Sequence, residues 1–319
     1  MSAAPAGSLV TAHFQPIHRL FEGEPGNTPM DRLLAQFDRL QVQLNASTPT
    51  GPDPGVQTSL QALEQDGAGA PPLIRSLTSD IVQTVKRKVE GEAKTELERR
   101  YRQEVRQQCD QIVALRYPFS PNSPDDLPLA DFGRLFGYGG IFDTFFSANL
   151  ASLVDTDRSP WTWRPGTAPI SADMLRTFEA AHEIREIFFR SGSQVPGVRF
   201  NAMLGTYDAG ASRFVVDFEG QALDSRNTQR VYSIFWPGPT PAYGNVSFEQ
   251  RFGGTVNRAF HGPWAFFHMI DAATVMRESD VRNIFTVNAG NLQGQVILEA
   301  ASVRNPFATR QWQRFTCGS

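Results

Sequence analysis

The chain reads as an α+β protein, with an all-α helical domain over residues 1–192 and an antiparallel β-sandwich-like domain over 193–319 that carries one inserted short helix. Three observations predict this. At 319 residues the chain exceeds the size at which one hydrophobic core stops growing, so two domains are expected. The apolar period changes near Gly192, from spacings of three and four to strict alternation. Beyond that point, six short runs of β-branched and aromatic residues are separated by Gly, Pro, Asn and Asp, the composition of a sandwich.

Residues 9–44 have helical pattern. In Met30–Leu44, the residues Leu33, Leu34, Phe37, Leu40 and Leu44 form one apolar face. Asn45–Gly55 holds three prolines and two glycines and is expected to be a loop. A short helix over Val56–Glu64 follows, then a linker over Asp66–Pro72. From Leu77 to Val113 an apolar or small residue recurs at every fourth position, through Ile81, Val85, Val89, Ala93, Leu97, Tyr101, Val105 and Cys109. Each step of four overshoots a turn by about 40°, so the stripe drifts around a straight helix. Either two helices break near Gly91, or one long helix carries a buried stripe that winds round its neighbours; the break is preferred, because Gly91 sits mid-run and costs about 1 kcal/mol relative to Ala inside a helix. Arg99, Arg100, Arg102 and Arg106 are interleaved with Glu96, Glu98 and Glu104, the pattern of a solvated helix face.

Arg116–Pro128 carries four prolines and ends the helical run. Leu129–Leu153 resumes it, broken at Gly137–Gly140. Ser171–Arg190 is a helix with Ser171 as N-cap and Gly192 as its stop. The expected strands lie around Phe200–Leu204, Arg213–Glu219, Arg230–Trp236, Val246–Phe252, Val281–Val287 and Gln295–Val303. Asn288–Gly294 is the hairpin turn between the last two, and Gly262–Ala273 is the inserted helix.

Composition excludes several functions. Thirty Lys and Arg against 33 Asp and Glu give a net charge of −3, which supplies no basic field for nucleic acid. No apolar stretch approaches the length of a membrane span, and MSAAPAGSLV has neither the charged nor the apolar segment of a signal peptide. His182–Glu186 (HEIRE) places Glu where a zinc-protease helix needs its second His. The five histidines and two cysteines have no ligand spacing, Gly137–Gly140 lacks the Lys-Ser/Thr of a phosphate loop, and Asp125-Asp126 reads as a solvated turn. No catalytic residue, metal ligand or cofactor is expected, and the chain is not expected to be an enzyme. What remains is aromatic. Trp161–Pro165 and Trp236–Tyr243 (WPGPTPAY) are proline-stiffened loops, either anchored in the core or serving as interface anchors, since Trp, Tyr and Arg dominate binding hot spots. Trp236, Pro237, Pro239 and Tyr243 are the candidate partner-binding residues. Cys109 and Cys317 are either two reduced thiols or one disulfide.

An ordered set of landmarks resembles the C-terminal periplasmic region of the IcmF/TssM family of type VI secretion. It runs from Val10–Phe14 and Met30–Leu40 through Cys109, Arg116–Phe119, Asp131-Phe132, Phe136–Gly140, Phe145-Phe146 and Trp161–Trp163. It continues with Phe188-Phe189, Trp236–Gly238, Gly262–Ala265 and Phe315–Cys317. The resemblance implies a structural piece of an inner-membrane-anchored protein, located in the periplasm. Its β part is implied to bind the outer-membrane lipoprotein TssJ, linking inner to outer membrane together with TssL and other TssM copies. An oxidising compartment then favours a Cys109–Cys317 disulfide. The chain departs from the family at His268, where Arg is expected, and at its last residues, Cys317–Ser319. A second reading, from the loop aromatics Trp161, Trp163, Trp236 and Tyr243, is a peptidoglycan- or carbohydrate-binding module. A hydrolase with an unrecognised site is a third.

Overall fold

Thr28 and Asp31 form a reciprocal cap: the Asp31 amide donates to Thr28 Oγ1 (3.1 Å), and the Thr28 amide donates to Asp31 Oδ2 (3.0 Å). This cap, with Pro29 in the first turn, starts the second of four helices among the described residues of the first part of the protein. They are α1 (Leu9–His18), α2 (Pro29–Ala46), α3 (Pro54–Ala68) and α4 (Pro72–Tyr101). The computed structural model describes residues 9–46, 54–165, 171–307 and 310–318, with side chains from Phe14 onward. The expected loop at 47–53 and the side chain of His13 lie outside that set.

The chain divides into two compact units, Met1–Arg100 and Tyr101–Ser319. In the first, Leu33 and Leu40 of α2, Val56, Leu60 and Leu63 of α3, and Val82 of α4 form the core, with Phe37, Leu44, Val85 and Val89 packed against it. Two expectations change here. Leu34 and Leu77 are more than half exposed, and α4 buries Thr78 and Val82 in place of the Leu77–Ile81 stripe. Close approach decides this register, because a side chain on Gly67 would strike Thr78. The expected break at Gly91 is also absent. Gly91 is an exposed position with open space around it, and one unfavourable propensity does not end a helix held elsewhere by packing.

The irregularity comes later. Arg102–Arg106 is a π-helical turn before α5 (Gln107–Val113). A π turn closes with i→i+5 bonds and takes more residues per turn than an α-helix, so a spacing of four returns to the same face. Tyr101, Val105 and Cys109 are accordingly all buried.

The second unit continues with α6 (Leu129–Phe136), α7 (Ile141–Asn149), a two-residue strand pair β1 (Val154–Asp155) and β2 (Thr162–Trp163), and α8 (Ala172–Phe188). Gly137–Gly140 separates α6 from α7, and the Ser171 hydroxyl accepts from the Met174 amide at the start of α8. Nine strands follow: β3 (Val198–Tyr207), β4 (Ala211–Phe218), β5 (Gln221–Asp224), β6 (Tyr232–Trp236), β7 (Tyr243–Gln250), β8 (Thr255–His261), β9 (Thr274–Arg277), β10 (Arg282–Ala289) and β11 (Leu292–Ala300). The inserted helix, α9 (Ala265–Asp271), lies between β8 and β9. The strands form two antiparallel sheets, ordered β6-β3-β11-β10-β9 and β5-β4-β7-β8. Three of these nine strands escaped the sequence reading, as did the short β1–β2 pair. β5 and β9 are four residues long, and β8 (TVNRAFH) alternates weakly because it is an exposed edge strand.

The change from helix to strand falls near Gly192, but packing crosses it. Phe132 of α6 and Phe188 of α8 meet Trp264, and Phe188 also meets Trp236 and Phe267. The C-terminal segment seals this aromatic core. Trp312 stacks on Trp264, and Phe315 packs on Phe119, Phe136 and Phe142. A disulfide joins Cys109 to Cys317, and the Tyr101 hydroxyl donates to the Cys317 carbonyl at 2.6 Å. Burial pushes that phenol up to about 12, so it remains a donor throughout the physiological range.

Candidate partner-docking surface

The loop from Trp236 to Tyr243 joins β6 to β7. Trp236 does not lie on the surface. It is 2% exposed, with its ring 5.0 Å from Trp264 and 4.8 Å from Phe267. It anchors the loop in the core and is unable to touch a partner or stack on a glycan. The cis Trp236-Pro237 peptide then turns the chain outward.

The loop is pinned from beneath by the turn between β4 and β5. The Gly238 amide donates to Glu219 Oε2 (2.7 Å) and the Thr240 amide to the Glu219 carbonyl (2.9 Å). A Cβ on Gly238 would stand 2.5 Å from that carbonyl oxygen, so only glycine allows the approach. Gln221 bonds both backbone groups of Phe235 (2.7 and 2.9 Å) and fixes the loop's entry. Glu219 is buried, and desolvation raises its carboxyl pKa against the opposing pull of the Gly238 and Phe266 amides and the Trp236 indole. Pro237 is half-buried, while Pro239, Thr240, Pro241, Ala242 and Tyr243 form an exposed rim. Tyr243 lies beside His261 with ring centroids 5.6 Å apart. Of the four residues singled out in the sequence, Pro239 and Tyr243 are thus presented to solvent, Pro237 in part, and Trp236 not at all.

Sequence reasoning missed a polar cluster. Asp126, read as part of a solvated turn, is largely buried. His268 Nε2 lies 2.8 Å from Asp126 Oδ1 and the Trp264 amide 3.4 Å from Oδ2. His268 stacks on Tyr117 at 3.9 Å, and the Tyr117 hydroxyl donates to Asp271, which also pairs with Arg310. The histidine that departs from the expected Arg therefore has its own partner, and the cluster fastens the Arg116–Pro128 segment to α9 and the C-terminal segment. Pairing across more than 130 residues leaves no local signature.

His182 is half-buried. Its Nδ1 is 2.6 Å from Arg185, which pairs with Asp143. Burial, reinforced by Arg185, lowers its pKa. Among the described residues no group of three His, Cys, Asp or Glu side chains is placed to hold a metal ion. An open groove of about 460 Å³ runs between α8 and the C-terminal segment, lined by Asp173, Arg176, Glu183 and Arg314 among others. Its walls carry both charge signs. No helix among the described residues is long and apolar enough to cross a membrane.

Residues 200–302 match the type VI secretion protein IcmF C2-like domain. The type VI secretion system component TssM1 of Pseudomonas aeruginosa is 32% identical over 321 residues, a match that takes in 94% of this chain. The chain belongs to the IcmF/TssM family. It spans 29% of the length of that curated relative. Among solved structures, a chain of a type VI secretion system membrane core complex superposes with a TM-score of 0.79 at 18% identity, covering 97% of this chain and 70% of the other. The TssM C-terminal domain from EAEC gives 0.62 at 19% identity, covering 70% of this chain and 97% of that domain. A type VI membrane complex chain gives 0.74 at 18% identity, covering 98% of this chain and 66% of the other. At these identities the superpositions establish a shared fold. The shared fold extends well beyond residues 200–302, since both large structures cover the helices as well.

Proposed function

We propose that this chain is a structural, non-catalytic part of a type VI secretion membrane complex, and that its sandwich docks the outer-membrane lipoprotein TssJ. The observation that carries this reading is the 32% identity to TssM1 across 94% of the chain. The full-length fold shared with a membrane core complex supports it. On this reading the chain works in the periplasm as part of an inner-membrane-anchored protein and links the two membranes alongside TssL and further TssM copies. The Cys109–Cys317 disulfide suits that oxidising compartment.

The pinned Pro237–Tyr243 rim is the contact we assign to the lipoprotein, with Pro239 and Tyr243 as its exposed members. A rigid loop loses little conformational entropy on docking. Two variants separate contact from support. Tyr243→Ala should weaken lipoprotein binding in calorimetry while leaving the melting temperature unchanged. Trp236→Ala should lower both. Full affinity in folded Tyr243→Ala and Pro239→Ala proteins would remove the rim from the interface. The glycan-binding alternative loses its central aromatic with the burial of Trp236.

A further inference from the structure

An imidazole and a guanidinium meet on α8 in an arrangement that only one protonation state permits. His182 Nδ1 lies 2.6 Å from Arg185 Nη2. A guanidinium has donors and no acceptor, so Nδ1 offers its lone pair and the ring is neutral, with its proton on Nε2. Arg185 is itself held in place. Its Nη1 pairs with Asp143 of α7, its guanidinium covers the Tyr138 ring at 4.6 Å, and its side chain is 16% exposed. Asp143 also accepts from the Gly139 amide (2.7 Å), and the Tyr138 hydroxyl donates to Glu186 (3.0 Å). His182 packs as well against the loop between β1 and β2, where the Trp161 ring centroid is 5.2 Å from the imidazole and 5.0 Å from Phe146 of α7. The Ser159 hydroxyl and the Trp161 amide bind this loop to Glu179 of α8 (2.9 and 3.1 Å).

We propose that His182 is an acid-sensitive fastener, whose protonation at Nδ1 drives the ring away from Arg185 and loosens the Trp161 loop from α8 and α7. An imidazolium and a guanidinium are both donors and repel each other at this distance. Arg185 is tied to Asp143 and Tyr138, so the imidazole gives way and withdraws the surface on which Trp161 rests. The charges around the ring oppose one another. Arg185 and Arg304 disfavour the imidazolium, whereas Glu186 and Asp143 favour it. Both carboxylates are already engaged, Asp143 by Arg185 and Glu186 by Tyr138. Glu179 is occupied by the loop, and Glu183 lines the groove beside the C-terminal segment. Burial, then Arg185, lowers the folded pKa. The contribution of the neutral contact is therefore complete above the ordinary value of 6.5 and is lost as pH falls below it. None of this depends on the lipoprotein reading.

Nuclear magnetic resonance of the full chain across this pH range tests it by following the His182 ring and the exchange of backbone amides. His182 should titrate below 6.5. Protection of the Trp161 amide should fall roughly ten-fold between about pH 7.5 and pH 5, while the amides of β10 and β11 keep theirs. His182→Asn retains an acceptor near the position of Nδ1 and gains no proton in this range, so Trp161 protection should become independent of pH. Arg185→Gln removes the opposing cation and should bring the His182 titration up towards 6.5. Should that variant fail to fold, the wild-type titration and the Asn variant still decide. A His182 that titrates at or above the ordinary value would overturn the proposal. So would equal Trp161 protection at both pH values, an acid loss that persists in His182→Asn, or a loss shared equally by the β10 and β11 amides.

Discussion

Removing the Cys109–Cys317 link is the perturbation whose size follows most directly from the structure. The bridge spans a sequence separation of 208, for which the chain-entropy relation gives an upper figure of about 5 kcal/mol. The C-terminal segment has independent holds, since Trp312 and Phe315 are buried in the aromatic core and the Tyr101 hydroxyl bonds the Cys317 carbonyl. The native state therefore keeps its packing when the bond is cut, and the effect acts chiefly by freeing the unfolded chain. A Cys109→Ala/Cys317→Ala variant should lose roughly 2–5 kcal/mol. For a unit of this size that is a drop of roughly 4–20 °C in melting temperature. Urea unfolding monitored by tryptophan fluorescence measures it directly, because Trp264 and Trp312 stack in that core. Reductant should lower the wild-type midpoint towards that of the variant and leave the variant unmoved. Equal midpoints for oxidised wild type and the double variant would refute the reasoning.

Three further outcomes are expected. Burial raises the Glu219 carboxyl pKa, so the folded state holds that proton more tightly than the unfolded chain. Its contribution is fully present below the ordinary value of 4.5 and is lost as pH rises through the higher folded value. Glu219→Gln should flatten this decline in urea midpoints as pH rises above about 4.5. Trp236→Ala empties a fully packed position between Trp264 and Phe267 and should cost about 3–5 kcal/mol in urea unfolding, which an exposed contact residue would not. Gly91→Ala sits at an exposed helical position with nothing within 4 Å and should raise stability by about 0.4–1 kcal/mol in the same assay.

Local patterns told most where local physics decides. Ser171 capped its helix as read, the glycine run separated α6 from α7, and alternation after Gly192 gave both the two-sheet class and the β10–β11 hairpin. Long-range contacts overrode the rest. Leu77 and Thr78 differ by one position, and contact with Gly67 chose Thr78. Gly91 falls inside α4 without a break, Leu77 at the head of the four-residue stripe is exposed, and the π turn at Arg102–Arg106 matches a spacing of four only for Tyr101, Val105 and Cys109. At the surface, WPGPTPAY was legible as a stiff loop, but its leading tryptophan faces inward because α8 and α9 supply the aromatic partners. Asp126 and His268 lie 142 residues apart, and nothing in either neighbourhood announces the other.

Titrating the folded, oxidised chain with the soluble domain of a TssJ-type lipoprotein in a calorimeter tests the central claim most directly. The account predicts a saturable complex that co-elutes on size exclusion and weakens when Tyr243 is replaced by Ala. Absence of any complex at high protein concentration, with both partners shown to be folded, would contradict it.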